Sequence, residues 1–597
     1  MAKRSSMVLV CLVAGLGMSG CSGRTSPPPS SDSIPPSAPT DLSATLISTF
    51  RIDLSWSAST DNVGVTGYRV IRNGTQVGTT TATTYNDTGL TASTEYTYVV
   101  IAFDAAGNAS HSSNPLNART AIAPTPPAYP LKLSSDGRYL VDQNDVPFFA
   151  VGEDGFLASL QLSNSDLDTY LRDRSSRGFN SIWIGLTDRI DQKNAPRDFS
   201  GNVPFGGAWF SATEVLPYWA HQDYVIQRAA TYGITVFAQP SFVGNAYSQT
   251  IYDTQAMLAA SDAMMTAYGT FIGNRYKNFS NIVWVLGGDY DPSQTAIKTK
   301  LADLVNGLSA ADPHHLITIE ACRFCSPPNQ STLDSYGVSP SSFLGLNWLY
   351  AQQPNIVSVA QANFSRSPFL PPLMGEDFYE LGRSMTEFQV RQEGYWAILG
   401  GAYVGRLFGN DSIWSFNSPN DGSSTPSWQS QMTSPGSLAQ QYLGELMLSR
   451  EHWLMVPDAA NSVLTGGFES GATLSVAART SDGQTIIAYF SDGNSTTKTI
   501  DMTKIISSIS TVKEWWYNPR NGVATLIGTH PNSGSQNFGA PDGSDWVLVL
   551  DDASANLPSP GSTVESSSVL HNRPKMARSK SRRQTKRPAA TESKPNT

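Results

Sequence analysis

Apolar and polar residues alternate in three ways along this 597-residue chain. From residue 38 to 120, short stretches alternate with a period of two, which predicts half-buried β-strands. Residues 130–450 instead repeat an apolar run, a polar loop and an amphipathic segment, and period-two alternation returns in residues 451–552. The pattern predicts a small β-sandwich, then a strand–helix repeat, then an antiparallel β-sandwich.

The strand–helix repeat contains eight apolar runs that are candidate parallel strands. They are Phe148–Gly152, Ser181–Leu186, Ile234–Gln239, Ile282–Leu286, Leu316–Glu320, Leu344–Trp348, Pro372–Gly375 and Ala402–Leu407. Eight such units predict a (β/α)8 TIM barrel, which typically takes about 250 residues. A doubly wound sheet would alternate in the same way, but it needs a glycine-rich phosphate turn after its first strand, where this chain has Gly152-Glu153-Asp154-Gly155. The barrel is therefore the predicted fold.

Helix-start signals support the repeat. Ser163 precedes the amphipathic run Leu167–Leu171, and Ser384 with Glu387 has the spacing of a capping box. A last helix is predicted over residues 437–450, just before the second sandwich.

The first 21 residues predict an export signal. Lys3 and Arg4 precede a short apolar run, Met7–Met18, and small residues stand directly before Cys21. This end resembles the lipobox of bacterial lipoproteins, which implies that Cys21 is lipidated and anchors the protein to a membrane. The alternative is an ordinary signal peptide cleaved nearby, and both alternatives predict an exported protein.

Composition shifts give the other predicted boundaries. A Ser- and Pro-rich linker (22–36) precedes the first sandwich (37–121), and a second linker (122–129) precedes the barrel (130–450). The C-terminal sandwich (451–552) is followed by a basic tail (553–597), predicted to be disordered unless it contacts an anionic surface or polysaccharide. The net charge is −9 despite this tail, so the rest of the chain is strongly acidic, which argues against a nucleic-acid partner.

Cys322 and Cys325 form a C-x-x-C pair. A zinc site would need two further ligands, and the sequence has neither a second such pair nor His-x-x-x-His. A thioredoxin-like site would open a helix, whereas Ser326-Pro327-Pro328 follows here. In an oxidising compartment the pair predicts a local disulfide.

The first sandwich resembles a fibronectin type III module, with Leu90 and Tyr96 as part of a tyrosine corner. The positions that carry the resemblance are Pro39, Leu42, Trp56, Tyr68, Leu90, Tyr96 and Tyr98. The resemblance implies a spacer, and the sequence shows no site in it.

Function in a TIM barrel lies at the C-terminal ends of the strands. Carboxylates in these places are Asp154, Asp188, Asp289, Glu320, Glu376, Asp377 and Asp411. Amide and aromatic side chains can bind sugar hydroxyls and faces, so the expected substrate contacts are Asp154, Gln239, Asn347, Trp348, Tyr379, Asn410 and Trp414. The sequence has no H-E-x-x-H, no G-x-S-x-G elbow and no Walker loop, so neither a metal nor a cofactor is predicted.

Two of these carboxylates are candidates for the acid and the nucleophile of glycoside hydrolysis, which stand about 5–5.5 Å apart in retaining enzymes. Asp289 follows Gly287-Gly288, where the backbone can approach a substrate closely, and Asp291-Pro292 is the better predicted helix cap. Glu376 ends the seventh strand, and its structural alternative is a salt bridge at the barrel mouth. Strands four and seven lie across the barrel, so both side chains can converge on one bond.

An acid/base after strand four and a nucleophile after strand seven resemble the large retaining clan of (β/α)8 glycoside hydrolases. Residues 130–450 are more closely similar to the apiosidase-like family. The matching segments are QNDVPFFAVGED, YLRDRSSRGFNSIWIG, DYVIQRAATYGITVFAQP, NIVWVLGGD, PLMGEDFYE and RQEGYWAILGGAYVGRLFGNDSIW. The resemblance implies that Asp289 is the general acid/base and Glu376 the nucleophile. Segments EWWYNPRNG and DWVLVL resemble the sandwich, named for collagen binding, that often follows this barrel.

The chain departs from this family at two strand ends. The family's usual Gly-Asp-Thr-Ala-Trp is Gly-Glu-Asp-Gly-Phe at residues 152–156, and its usual His after strand five is replaced around Glu320. Both positions border the substrate, so the resemblance implies the reaction class rather than release of apiose. To act as a general acid at neutral pH, Asp289 would need a pKa raised above its ordinary value of about 3.9.

The sequence therefore predicts an exported, lipid-anchored retaining glycoside hydrolase that acts on a polysaccharide. The alternative is a non-catalytic carbohydrate- or matrix-binding surface lipoprotein that keeps the barrel, because fold alone does not define function. A protease, suggested by the collagen-binding name, would need a catalytic triad or metal motif that the sequence lacks.

Overall fold

The structure is a computed structural model, and it describes most of the chain. The described residues are 32–47, 51–91, 94–120, 126–189, 191, 193–211, 214–244, 253–291, 293–322, 331–336, 343–382, 385–418, 426–492, 497–506 and 511–562. The predicted export signal with Cys21 lies outside them, as does the tail beyond residue 562. No helix within these ranges is both long enough and apolar enough to cross a bilayer.

The chain divides into two compact units, and the larger one contains the barrel and the C-terminal sheets. The N-terminal strands form two sheets, ordered β1-β2-β5 and β4-β3-β6-β7. The strands are β1 Thr40–Ile47, β2 Arg51–Ser57, β3 Val65–Arg72, β4 Thr75–Thr80, β5 Thr84–Thr88, β6 Glu95–Asp104 and β7 Leu116–Arg119. The Thr91 N–H donates to the Tyr96 hydroxyl at 2.8 Å, the hydrogen bond of a tyrosine corner. The predicted fibronectin-like fold is confirmed.

A short antiparallel sheet precedes the barrel, formed by β8 Lys132–Leu133, β9 Leu140–Val141 and β10 Pro147–Phe148. Eight parallel strands then form the barrel, and each overlaps one of the eight predicted runs. They are β11 Ala150–Asp154, β12 Ser181–Gly185, β13 Thr235–Gln239, β14 Ile282–Tyr290, β15 Ile317–Ala321, β16 Asn347–Tyr350, β17 Pro372–Glu376 and β18 Gly405–Phe408. The sheet order is β15-β14-β13-β12-β11-β18-β17-β16, and a parallel bridge from Ile317 to Leu344 joins its two ends. The predicted TIM barrel is confirmed.

Helices cover the outside of the barrel, so its strands are buried on both faces. The helices are α1 Ala158–Gln161, α2 Asn164–Ser176, α3 Leu216–Thr231, α4 Asp253–Ala259, α5 Asp262–Tyr276, α6 Thr295–Ala311, α7 Thr332–Tyr336, α8 Ile356–Phe364, α9 Glu387–Gly400, α10 Asp411–Trp414, α11 Trp428–Gln431 and α12 Pro435–Leu448. Ser163 caps α2 as predicted, because its side chain accepts the Asp166 N–H.

Two predicted helix starts are wrong. The capping box of α9 is Thr386 with Gln389, two residues later than the predicted pair. Helix α6 is preceded by Gln294, and the Asp291 carboxylate instead accepts the Ser293 N–H in the turn before it. At α9 Thr386 therefore satisfies a backbone donor of the first turn, whereas the Gln294 side chain makes no cap hydrogen bond at α6.

The C-terminal region is a sandwich of a six-stranded sheet, ordered β19-β21-β22-β27-β24-β25, and a three-stranded sheet, ordered β20-β23-β26. Its strands are β19 Met455–Pro457, β20 Leu464–Gly466, β21 Val476–Thr480, β22 Thr485–Phe490, β23 Lys498–Asp501, β24 Thr511–Tyr517, β25 Ala524–Pro531, β26 Ser535–Phe538 and β27 Trp546–Asp552. The pairings in both sheets are antiparallel, so this predicted sandwich is also confirmed.

The six-stranded sheet shares a hydrophobic core with α9 and α12 of the barrel. The rings of Tyr395 and Tyr489 stack with centroids 4.7 Å apart. The Arg391 guanidinium donates two hydrogen bonds to buried Asp545, at 2.7 and 2.8 Å. Both ion-pair partners and both rings are buried, so this seam is part of one continuous core.

The first ten residues of the segment that the sequence assigns to the tail lie among the described residues. Residues 553–562 continue along the end of α12, where the Gly561 N–H donates to the Ser449 hydroxyl at 3.0 Å and Arg450 donates to the Pro558 carbonyl at 3.1 Å. These backbone hydrogen bonds give the segment a fixed place that its Ser and Pro content did not indicate.

Candidate active site

Carboxyl groups from opposite sides of the barrel meet at its mouth. Glu376, the last residue of β17, is flanked by Glu320 of β15, Asp289 of β14 and Asp154 of β11. Burial raises the pKa of Glu376 well above its ordinary value, and the three other carboxyls raise it further. The Tyr350 hydroxyl donates a hydrogen bond to Glu376 and acts in the opposite direction.

Glu320 is the most buried member of this cluster, with a relative exposure of 1%. It accepts the Asp289 backbone N–H at 3.2 Å through one oxygen and the Gln239 amide at 3.3 Å through the other. The Glu376 side chain faces it from β17. Burial and the Asp289 charge raise the pKa of Glu320 well above its ordinary value.

Gln239 has an orientation fixed by its neighbours. Its amide oxygen accepts the Trp183 indole N–H at 2.9 Å, which leaves its amide nitrogen to donate to Glu320. The Trp183 ring in turn contacts the rings of Phe156 and Trp348, with centroids 5.4 and 5.0 Å away. Aromatic packing beneath the site thus holds the amide that binds Glu320.

Asp289 lies in a left-handed turn, with φ of +46°, directly after Gly287 and Gly288 at +91° and +96°. A side chain at Gly288 would overlap the Phe242 ring and the Gln239 amide, so only glycine fits there. An aspartate with positive φ is uncommon, and such strained residues cluster at functional sites. The two glycines predicted from the sequence are therefore needed to turn Asp289 into the mouth beside Glu320.

Asp154 and Tyr379 form a second acidic contact at the same mouth. The Tyr379 hydroxyl donates to one Asp154 oxygen, and the Phe156 N–H donates to the other at 2.9 Å. Burial nevertheless raises the pKa of Asp154 to about 7. This carboxyl therefore exchanges a proton near neutral pH.

The acids next to this cluster in sequence have a different environment. Glu153, beside Asp154, forms a buried ion pair with Arg174 of α2 at 2.9 Å. Asp377, beside Glu376, accepts two hydrogen bonds from Arg406 of β18 at 2.6 and 3.0 Å. Each of these pairs lies in the layer between strands and helices.

The structure brings Asp154, Gln239, Asp289, Glu376 and Tyr379 together at the barrel mouth. The other residues expected to contact the substrate interact with protein groups instead. Asn347 opens β16 instead of ending it, because the strand continues to Tyr350, and its amide binds Asn363 at 2.9 Å. The structure therefore does not bring Asn347 to the carboxyl cluster at the barrel mouth.

Three further residues expected to contact the substrate are buried, hydrogen-bonded or packed within the protein. Trp348 is fully buried in the barrel interior. Asn410 caps α10 through the Ser412 N–H at 2.9 Å and donates to Glu380 at 2.8 Å, so its amide is already used. Trp414 is partly buried and packs against the barrel core.

Sequence reasoning gave no role to Glu320 and did not single out Tyr350. Glu320 was recognisable as a strand end, and the replacement of a family histidine there was a signal. Tyr350 was hidden because the sixth apolar run, Leu344–Trp348, was ended two residues early.

Cys322 is disulfide-bonded. Cys325, its predicted partner, lies outside the described residues, so this pairing stays a prediction.

Within the described ranges, one group of acids is close enough to share a cation. The carboxylates of Asp32, Asp61 and Asp104 in the N-terminal unit have ligand oxygens within 4.8 Å of one another. Exposed acidic groups of this kind are common, and the group lies outside the barrel.

Two solved structures with a similar fold are named as glycoside hydrolases. One named "Glycoside hydrolase" has a TM-score of 0.60 and 23% identity, and covers 71% of this chain and 97% of its own. A glycoside hydrolase family 5 structure from Bacteroides vulgatus has a TM-score of 0.62 and 22% identity, and covers 73% of this chain and 96% of its own. At these identities the likeness shows the fold.

The chain belongs to the apiosidase-like family. The family model described as "Apiosidase-like, catalytic domain" matches residues 134–454, more than half of the chain. A model described as "Putative collagen-binding domain of a collagenase" matches residues 456–551, and a fibronectin type III model matches residues 37–119. The predicted family and the order of its domains are confirmed.

Curated relatives match over short segments. Exoglucanase B of Cellulomonas fimi is 47% identical over 116 residues, which is 19% of this chain and 10% of that protein. Chitinase A1 of Niallia circulans is 52% identical over 104 residues, which is 17% of this chain and 15% of that protein. The chain thus spans less than a fifth of the length of these relatives.

Proposed function

We propose that the protein is a retaining glycoside hydrolase that acts on a plant or microbial polysaccharide. Asp289 is the general acid/base and Glu376 the nucleophile. The observation that carries the proposal is the meeting of these two carboxyls at the mouth of a barrel of the apiosidase-like family. Names such as exoglucanase and chitinase among the curated relatives support a polysaccharide substrate.

The reaction has two steps. A Glu376 oxygen attacks the anomeric carbon, the glycosidic C–O bond breaks, and Asp289 gives its proton to the departing oxygen. Water then attacks the glycosyl ester, Asp289 takes a proton from that water, and the ester C–O bond breaks. The two displacements leave the sugar with its original anomeric configuration.

The test compares the wild type with Glu376→Ala and Asp289→Ala on aryl glycosides, pentosides included, and on pectic and arabinan-type polymers. We expect the wild type to release sugar and Glu376→Ala to abolish release. Asp289→Ala should lower kcat/KM least on aryl glycosides with good leaving groups, because these need little protonation.

Azide assigns the two roles separately. With Asp289→Ala, azide should attack the glycosyl ester and give a glycosyl azide of retained configuration. With Glu376→Ala, azide should occupy the empty nucleophile position and give the inverted product. If the wild type is inert yet binds a polymer, and neither substitution alters binding, the protein is a carbohydrate-binding module and the proposal is wrong.

We also propose that the protein is exported and anchored to a bacterial membrane through lipid on Cys21. The charged start, the apolar run and the small residues before Cys21 support this. Labelled palmitate should enter the wild type but not Cys21→Ala. An unlabelled wild type with a processed N-terminus elsewhere would indicate an ordinary signal peptide.

A further inference from the structure

We infer that Gln239 is a positioning residue, which is aimed by the Trp183 indole and holds the Asp289 turn through Glu320. We call Trp183, Gln239 and Glu320 the relay. The inference rests on the proposed glycosidase function, in which Asp289 is the general acid/base, and it gives Gln239 a role other than contact with the sugar. Three hydrogen bonds across four adjacent barrel strands, β12 to β15, carry it.

The turn that presents Asp289 is an interruption of the barrel sheet. The pairing of β14 with β15 breaks after Leu286 and resumes at Tyr290, and Glu320 is the residue of β15 opposite the break. In such a bulge the ladder of backbone hydrogen bonds is locally disrupted. The Asp289 N–H donates there to the Glu320 carboxyl at 3.2 Å, so a side chain takes the place of a ladder carbonyl.

The carbonyls of the same turn are bound from the side of β13. The Val243 N–H donates to the Gly287 carbonyl at 2.8 Å, and the Gly244 N–H donates to the Gly288 carbonyl at 3.1 Å. Two successive glycines have wide conformational freedom, so the direction of the next side chain depends on what holds the turn. The Glu320 bond acts on Asp289 itself.

The Trp183 indole decides which way the Gln239 amide faces. An indole N–H can only donate, so the amide oxygen faces it, at 2.9 Å. The amide nitrogen then donates to Glu320 at 3.3 Å. Reversing the amide would set two N–H donors against each other at Trp183, which is costly for buried groups.

The relay has almost no surface of its own. Trp183, Gln239 and Glu320 are 2%, 0% and 1% exposed. A side chain without accessible surface offers none to a sugar, so the relay acts on the substrate through Asp289. Hydrogen bonds in such a water-poor place are also stronger than at a surface.

Two neutral substitutions break the relay without changing the charge of the site. Gln239→Met keeps the length of the side chain and removes both of its hydrogen bonds. Trp183→Phe removes the indole N–H and keeps an aromatic ring against Phe156 and Trp348. Substitution of Glu320 is avoided, because Glu320 also faces the nucleophile.

Trp284→Phe is the matched control. Trp284 is a fully buried indole on β14, the strand that leads to Asp289, and its N–H donates to Asp312 at the same distance of 2.9 Å. Asp312 lies at the end of α6, outside the relay.

The readout is kcat/KM along a series of aryl glycosides whose phenols differ in pKa, since a poor leaving group needs the proton of Asp289 most. Gln239→Met should lower kcat/KM about ten-fold or less on a dinitrophenyl glycoside and about a hundred-fold on a phenyl glycoside. Trp183→Phe should show the same trend more weakly. Added to Gln239→Met, it should have no further effect, because the indole acts through the amide. Trp284→Phe should follow the wild-type trend.

Other outcomes overturn the inference. An equal loss on every leaving group would mean that Gln239 binds the sugar or only supports the fold. Additive effects of Gln239→Met and Trp183→Phe would mean two separate packing defects. If Gln239→Met fails to fold, Trp183→Phe compared with Trp284→Phe decides the question alone.

Hydrogen exchange gives a readout without substrate. In protein labelled with 15N-aspartate, the Asp289 amide signal is assigned by its loss in Asp289→Asn. Its exchange should be about ten-fold faster in Gln239→Met, since Glu320 loses the donor that orients its carboxyl, and unchanged in Trp284→Phe. A wild type that cleaves no glycoside but shows this difference would defeat the glycosidase proposal and leave the relay standing as the support of the turn. An active wild type without it would overturn the relay alone.

Discussion

Two pairs of neighbouring acids differ in what surrounds each carboxyl. Glu153 and Asp377 form buried ion pairs with arginines in the layer between strands and helices. Asp154 and Glu376, each one residue away, lie among other carboxyls at the barrel mouth. Successive side chains of a strand point to opposite faces, so a shift of one residue separates an acid paired with an arginine from one that faces the barrel mouth.

The two kinds of acid should also contribute differently to the stability of the fold. Removing one partner of a buried ion pair leaves an uncompensated charge, which typically costs about 3–5 kcal/mol. A carboxyl buried beside other carboxyls has no such partner to lose, and its removal relieves repulsion. Activity and stability should therefore respond in opposite ways to matched substitutions at adjacent positions.

The largest effect is expected for Glu376→Gln. This isosteric change removes the proposed nucleophile, so kcat/KM on a responsive substrate should fall about 10⁴-fold or more. The free energy of unfolding, measured by urea denaturation, should stay the same or rise. A loss of stability comparable to that of an ion-pair variant would contradict the comparison.

Asp377→Asn should affect stability instead. It breaks the two-bond ion pair with buried Arg406 and should lower the free energy of unfolding by about 3–5 kcal/mol. Glu376→Gln is its control, since the two changes are chemically equivalent and one residue apart. Equal stability of the two variants in the same denaturation series would show that the arginine contributes little.

Asp154→Asn tests the comparison through the pH dependence of the free energy of unfolding. The folded protein keeps the Asp154 proton up to a pKa of about 7, whereas the unfolded chain loses it near the ordinary value of 3.8. The folded state then binds more protons between these values, so stability falls as pH rises through that window. As the pH rises from about 5 to about 7, the free energy of unfolding of Asp154→Asn should fall by about 2 kcal/mol less than that of the wild type. Parallel stability curves for the two proteins would show that Asp154 is ionised in the fold.

The smallest effect is expected for Tyr350→Phe. Its hydroxyl lowers the pKa of Glu376, so its loss should move the acid limb of kcat/KM to higher pH and reduce kcat/KM about ten-fold at the optimum. Tyr276→Phe is a control with a buried tyrosine on α5, and its limb should match that of the wild type.

The fold was predictable because each barrel strand is a short apolar run between polar segments, as in Ile234–Gln239, and burial on both faces selects that pattern. The ends of elements were less predictable. Thr386 and Ser384 offer nearly the same capping chemistry, and only the packing of α9 selects one of them.

The site was predictable where backbone geometry restricts the residue. Only glycine fits before Asp289, and that signature is visible in the sequence. Asn410 and Asn347 could not be separated from substrate-binding amides, because an amide that caps a helix has the same composition as one that binds a sugar. Glu320 needed the contact between distant strands, which no local pattern contains.

The seam between the barrel and the C-terminal sandwich limits how this gene can recombine. A truncation after residue 454, where the catalytic match ends, would expose the Tyr395 ring to solvent. It would also leave Arg391 without its ion-pair partner Asp545. The sandwich of this chain is therefore not a separable unit, because its removal would open the core it shares with α9 and α12. Lineages that inherit this barrel should inherit the sandwich with it, and substitutions on one side of the seam should be accompanied by compensating changes on the other.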